Sequence, residues 1–134
     1  MKAVTRWLIG LFFVLAGANH FRQPALYVAM IPPLLPQKEL LNQIAGVAEI
    51  LGGLGLLIPG VRRFAAWGLI LLLIAVFPAN VYAALRGHMD YLNVSPAMLW
   101  LRLPLQAVFI AAVAWVGEVR AGGARPPGAL GPTD

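Results

Sequence analysis

Cysteine is absent from the 134 residues, which excludes disulfides, thiolate metal sites and thiol-disulfide exchange. Histidine occurs only at His20 and His88, too few for a transition-metal ligand set or for haem ligation, so no metal and no bound cofactor is expected. Charge is the scarcest commodity: 11% of residues are charged, where a water-soluble domain carries roughly a quarter. The ten basic residues outnumber five acidic ones, yet they stand singly between apolar runs. That pattern sets membrane topology and does not track phosphates, so nucleic acid is not an expected partner.

What is present instead is apolar. Hydrophobic residues make up 60% of the chain and mean hydropathy is +0.80, so the lipid bilayer must be the solvent for much of the surface. Four runs approach the roughly 20 helical residues that a hydrocarbon core requires: residues 4–19, 40–58, 64–85 and 97–117. The expected fold is an all-α membrane protein, one domain over residues 1–134, built as a bundle of four transmembrane helices. Between the runs lie "RQPALYVAMIPPLLPQKE", the tight turn "PGVRR", and "RGHMDYLNVSP", whose proline suits a helix start. The first of these is too apolar for a solvated loop and too proline-rich for a span, so it should lie at the outer interface or fold over the bundle. Residues 120–134 have little to bury and are expected to be disordered.

Orientation follows from the basic residues. With both termini inside, Lys2, Arg6, Arg62, Arg63, Arg120 and Arg125 are cytoplasmic while Arg22, Lys38 and Arg86 are outside, and that excess favours cytoplasmic N and C termini. Trp7, Trp67 and Trp115 then fall near inner ends, with Tyr82, Tyr91 and Trp100 near outer ones. The opening "WLIGLFFVLAGANHF" also has the grammar of a cleaved secretory signal, ending in small residues at Ala16-Gly17-Ala18. Cleavage would leave three spans and strip the helix that carries His20, so the stretch is read as a retained first span in the inner membrane of a bacterium.

Polar side chains at membrane depth are costly and usually face a bundle interior. Glu49 lies about 14 Å inside the second span, near the midplane, and Gln106 reaches a similar level in the fourth. Arg102 sits one turn above Gln106, Asn80 comes level with it from the third span, and Asn19 and His20 close the outer end of the first. All fall in the outer half, which points to one outward-opening polar chamber with Glu49 at its floor and Arg102 as its counter-charge. Gln43, Gly46, Glu49 and Gly53 share one face of the second helix, and Gly10, Phe13, Gly17 and His20 share one on the first. Glycines there allow close approach between helices. Pro78 and Pro104 remove backbone donors beside the polar residues, and the carbonyls they free need partners. Structural roles compete throughout: Arg102 snorkelling to the surface, Glu49 neutral and hydrogen-bonded, Asn80 and Gln106 acting as interhelical glue, His88 merely solvated in its loop.

The stretches "FVLAGANHF", "P-x-L-Y-x-x-M-I-P-P-L-L-P" and "IAGVAEILGGLGLLIPGVRRFAAWGLILLLIAVFPANVYAAL" together resemble the DoxX and DoxX-like family of small four-helix membrane proteins, over about residues 6–85. The resemblance implies a four-helix bundle with cytoplasmic ends. Roles attributed to that family include a subunit of thiosulfate:quinone oxidoreductase, partners of redox and stress-defence enzymes, and an assembly chaperone for receptors. It would mark His20, Glu49, Pro78 and Asn80. The lack of cysteine separates the chain from thiol-bearing quinone reductases of similar layout.

Without a nucleophile, metal set or cofactor motif, the leading expectation is a non-enzymatic protein. The chamber would bind a lipid-like small molecule or another membrane protein, and His20, Glu49, Asn80, Arg102, Gln106, Asn19 and Gln43 would supply contacts on a frame set by Gly46, Gly53, Pro78 and Pro104. The alternative is a quinone-linked oxidoreductase subunit, with quinone as ligand and His20 or Glu49 moving protons. An oligomer is compatible with either.

Overall fold

The computed structural model describes residues 1–87 and 95–119; His88, Tyr91, Arg120, Arg125 and the expected disordered tail lie outside them. Five helices account for almost all the described chain: α1 (Lys2–Arg22), α2 (Pro24–Met30), α3 (Lys38–Leu57), α4 (Arg62–Arg86) and α5 (Pro96–Val116). All but α2 are long and apolar enough to cross a membrane. Their lengths are 21, 20, 25 and 21 residues, so the first run, short as a sequence of apolar residues, becomes a full span by recruiting Lys2 and the turn through Arg22. Leu8, Leu71 and Leu101 are 64%, 62% and 57% exposed. Large apolar side chains are exposed in this way along all four long helices, an extent that is unusual in water and ordinary against lipid.

Local sequence explains where the helices begin and stop. Pro24 and Pro96 occupy first-turn positions of α2 and α5, where a missing N–H costs nothing. The Ser95 hydroxyl accepts from Met98 N at 3.4 Å, capping α5. Gly87 ends α4 with φ of 71°, a left-handed conformation that glycine adopts without strain. Pro78 and Pro104 lie within α4 and α5, and helical structure continues through both.

The four long helices alternate in direction. For α1 and α3 the contact is made by glycines spaced seven apart. A Cβ on Gly10 would come within 2.9 Å of Gly53 O, and one on Gly17 within 2.6 Å of Gly46 O. Two antiparallel backbones thus touch directly at two levels, which holds α1 and α3 together where lipid supplies no hydrophobic drive between helices. Nearer the α3–α4 turn, Gly52 receives the side chain of Leu69 and Gly55 that of Ala65.

Two clusters of buried apolar side chains result. One, at the end holding the N terminus (the proximal end), joins Ile9, Phe13, Leu56, Ala66, Leu69, Ile70, Val113 and Val116. The other, distal, joins Met30 of α2 to Ala83 and Ala84 of α4 and Leu99 of α5. The first connection therefore does fold over the bundle: α2 roofs its distal end. At the proximal end Arg6 does more than snorkel. Its Nε donates to Val116 O at 3.1 Å and its Nη2 lies 3.3 Å from Glu118 Oε1, a cation set against the carbonyls that end α5.

Candidate functional site

Between the two clusters the bundle is hollow. A cavity of about 840 Å³ is walled by α1, α3, α4 and α5 and roofed by α2 and the segment after it. Its walls are mostly apolar, including Ala16, Ala45, Leu72, Val76, Ala79 and Leu105, with Phe12, Phe13 and Phe109 toward the proximal core. Those three rings form one group: Phe12 stacks on Phe109 at 4.7 Å between centroids, and Phe13 meets Phe109 edge-on at 6.1 Å. The floor is therefore aromatic, and Glu49 lines the cavity from α3. It is not sealed, since Ile44 in its lining is 55% exposed. Polar groups enter it from α1 (His20), α2 (Tyr27), α3 (Asn42, Glu49), α4 (Asn80) and α5 (Arg102, Gln106).

His20 is the most constrained of these. It is buried, stacked on Tyr27 with centroids 3.7 Å apart, and its Nδ1 lies 2.7 Å from Asn42 Oδ1. The Asn42 amide is oriented by its other bond, Nδ2 donating to His20 O at 3.0 Å. A carbonyl can only accept, so Oδ1 must face the ring and Nδ1 must carry a proton. Nε2 then points at Glu49, 3.5 Å from Oε2. That oxygen is buried and accepts no hydrogen bond. A bare ring nitrogen set against a bare carboxylate in such a place would be repulsive. One proton therefore belongs to the pair, making it either imidazolium and carboxylate or imidazole and carboxylic acid, and in both forms the pair is neutral as a unit.

The second polar group is closed on itself. Asn80 Nδ2 donates to Gln106 Oε1 at 2.7 Å, and Gln106 Nε2 donates to Leu73 O. Leu73 precedes Ile74, whose carbonyl loses its helical donor to Pro78. The α4–α5 amide pair thus meets the α4 backbone one residue before the carbonyl that Pro78 leaves without its helical donor.

Several expected placements are corrected. Arg102 is not the counter-charge of Glu49: its Nη1 donates to Met30 Sδ at 3.6 Å, beneath the roof, and Glu49 faces His20 instead. Gln43 is exposed and absent from the cavity lining; its neighbour Asn42, 3% exposed, takes the place beside His20. Asn42, Gly46, Glu49 and Gly53 are spaced four, three and four, which keeps a seven-residue stripe that Gln43 breaks. Pro104 does not line the cavity, whereas Pro78 does. Asn19 acts indirectly, donating to the Tyr27 hydroxyl at 2.8 Å and so holding the ring that covers His20. Tyr27 was not among the expected site residues, and its only signal is a hydroxyl inside an apolar, proline-bounded segment. Gly46 and Gly53 stand where α1 crosses α3, as packing residues.

Among the described residues no group of three or more His, Cys, Asp or Glu side chains is placed to hold a metal ion.

No curated protein and no solved structure matches the chain. The resemblance to DoxX proteins is overturned by the family that does match, and with it goes the family support for quinone chemistry and for an assembly-chaperone role. The quoted motifs are combinations of small, apolar and isolated polar residues. Close-packed membrane helices of unrelated families need these same types at these same spacings. The model of DUF8561, a domain of unknown function, covers residues 9–117, from about two turns into α1 through the whole of α5, and the chain belongs to that family.

Proposed function

We propose that this protein is a non-enzymatic membrane protein that binds a lipid-like small molecule inside its bundle. The observation that carries the reading is the cavity itself, about 840 Å³ with apolar walls and a few convergent polar side chains. That size and lining are typical of small-molecule sites. Helices that approach glycine to glycine in α1 and α3 have the means to pack tightly. Here that pair stays in contact at Gly17 and Gly46, and the empty space lies between it and α4 and α5, at the level of His20, Glu49 and Asn80. Polar groups there would orient a head group, and the phenylalanine floor would receive a tail.

The test uses the full chain purified in mild detergent, with its organic extract analysed by mass spectrometry. The wild type is expected to retain one molecular species in amounts comparable to the chain. The cavity-filling Ala79→Phe should deplete that species several-fold. An extract containing only bulk membrane lipids, in the same proportions for both proteins, would sink the reading.

We place both termini in the cytoplasm of a bacterial cell, on the excess of basic residues at the proximal end, where Lys2, Arg6, Arg62 and Arg63 face Arg22, Lys38 and Arg86 across the bundle. Because the chain has no cysteine, single introduced thiols report cleanly. An impermeant maleimide applied to intact cells should label Pro36→Cys and spare Gly60→Cys, both at exposed positions; the reverse pattern would invert the topology.

A further inference from the structure

The cavity carries an unbalanced charge. Its ionisable lining is His20, Tyr27, Glu49 and Arg102. The Glu49 carboxyl is set against His20, its Oε2 3.5 Å from Nε2, and the one proton assigned above to that pair leaves it neutral as a unit. Arg102 is always protonated. What it meets is Met30 Sδ at 3.6 Å, a weak acceptor, and among the described residues no carboxylate pairs with it. The lining therefore sums to one positive charge, held on a guanidinium that can make two parallel bonds to a carboxylate or phosphate. A cation facing an apolar cavity without a counter-ion is costly, and an anion arriving there relieves that cost.

Resting on the lipid-binding reading above, we infer that the ligand is an anionic amphiphile whose carboxylate or phosphate pairs with Arg102 and whose chain lies along the apolar walls toward Phe13 and Phe109. Arg102 lies just under the α2 roof, in contact with Met30, while the phenylalanines adjoin the proximal core. The polar anchor and the tail site are thus at opposite ends of the cavity, as an amphiphile requires. The neutral His20–Glu49 pair does not repel the head group. If it is reoriented by a ligand hydroxyl, Glu49 Oε2, which accepts no hydrogen bond, gains a donor.

The full chain in zwitterionic phosphatidylcholine nanodiscs is titrated with oleate, with oleoyl lysophosphatidate and with oleyl alcohol, which has the same tail and no charge. Empty nanodiscs correct for partitioning. Oleate or the lysophosphatidate should bind about ten- to a hundredfold more tightly than the alcohol, the range of one charge-assisted contact, and whichever is preferred tells carboxylate from phosphate. Arg102→Met should erase that preference, while Arg102→Lys should keep part of it. Equal binding of alcohol and anions by the wild type, unchanged in Arg102→Met, overturns the inference and leaves the lipid-binding reading standing. If none of the three binds and the purified protein retains no molecule of its own, the reading beneath it fails as well. Should Arg102→Met not fold, the wild-type preference and Arg102→Lys decide the matter.

Discussion

Gly17→Leu is expected to yield a chain that reaches the membrane and does not assemble into a stable bundle. A Cβ on Gly17 would stand 2.6 Å from Gly46 O and 2.9 Å from Ile50 N, and both obstacles are backbone, which cannot swing aside as a rotamer can. The α1–α3 crossing would have to open along its length, and His20 and Asn42, one turn further on, would separate with it. Overpacking a well-fitted core typically costs about 1–3 kcal/mol when side chains can yield, and more is expected where they cannot. Gly46→Leu should behave alike, since its Cβ would meet His20 Cβ at 2.8 Å and Gly17 O at 3.0 Å. Gly68→Ala is the control. It lies in α4 with nothing within 4 Å of an added Cβ, and it should be neutral or stabilising by up to about 1 kcal/mol through helix propensity. Thermal unfolding in detergent, followed by the fluorescence of the four tryptophans, reads all three. A Gly17→Leu protein melting with the wild type would mean that the glycine contact does not hold α1 to α3.

His20→Leu should cost about 2–4 kcal/mol even though leucine is the more apolar residue. The substitution removes the ring donor from Asn42 Oδ1 and leaves a buried acceptor unpaired, worth about 1–3 kcal/mol. It also removes the stack on Tyr27, worth about 0.5–1.5 kcal/mol, and leaves Glu49 buried without its proton-sharing partner. These groups act as one network, so the second substitution Asn42→Leu in the same chain should add less than it costs alone. Full additivity in that double-mutant cycle would show that the observed bond between the two side chains contributes nothing. The bonding pattern also makes a spectroscopic demand: the imidazole of His20 must be protonated at Nδ1, which ¹⁵N NMR of the labelled ring would report.

Much of the architecture was legible in the residues. Apolar runs separated by "PGVRR" and by proline-rich segments specify four antiparallel helices long and apolar enough to cross a membrane, because backbone polar groups in lipid have no partner outside a helix. Glycines at seven-residue spacing on α1 and α3 mark their own contact face, since a spacing of seven returns nearly to the same side of a helix. The levels of Glu49, Asn80 and Gln106 could likewise be counted from the ends of their spans.

Which polar side chains meet across helices was not legible, and the corrections to Arg102 and Gln43 are of that kind. Gln43 and Asn42 lie three and four residues from Gly46 and so both neighbour it on the helix surface; the seven-residue spacing to Glu49 belongs to Asn42 alone, and the crossing with α1 sets that side chain beside His20. Arg102 could be put at the right depth for Glu49, but the guanidinium turns to Met30, a residue whose place in the roof depends on α2 forming and folding back. The neutral state of the Glu49 pair depends on His20 arriving from another helix at 3.5 Å. By itself, then, the sequence determined the apolar character of the surface, the number of helices long and apolar enough to cross a membrane and the level of each polar group along its own helix, all of which follow from one helix at a time. Only the tertiary structure decided which polar groups meet and where the bundle is left hollow, because those depend on how helices rotate and tilt against one another.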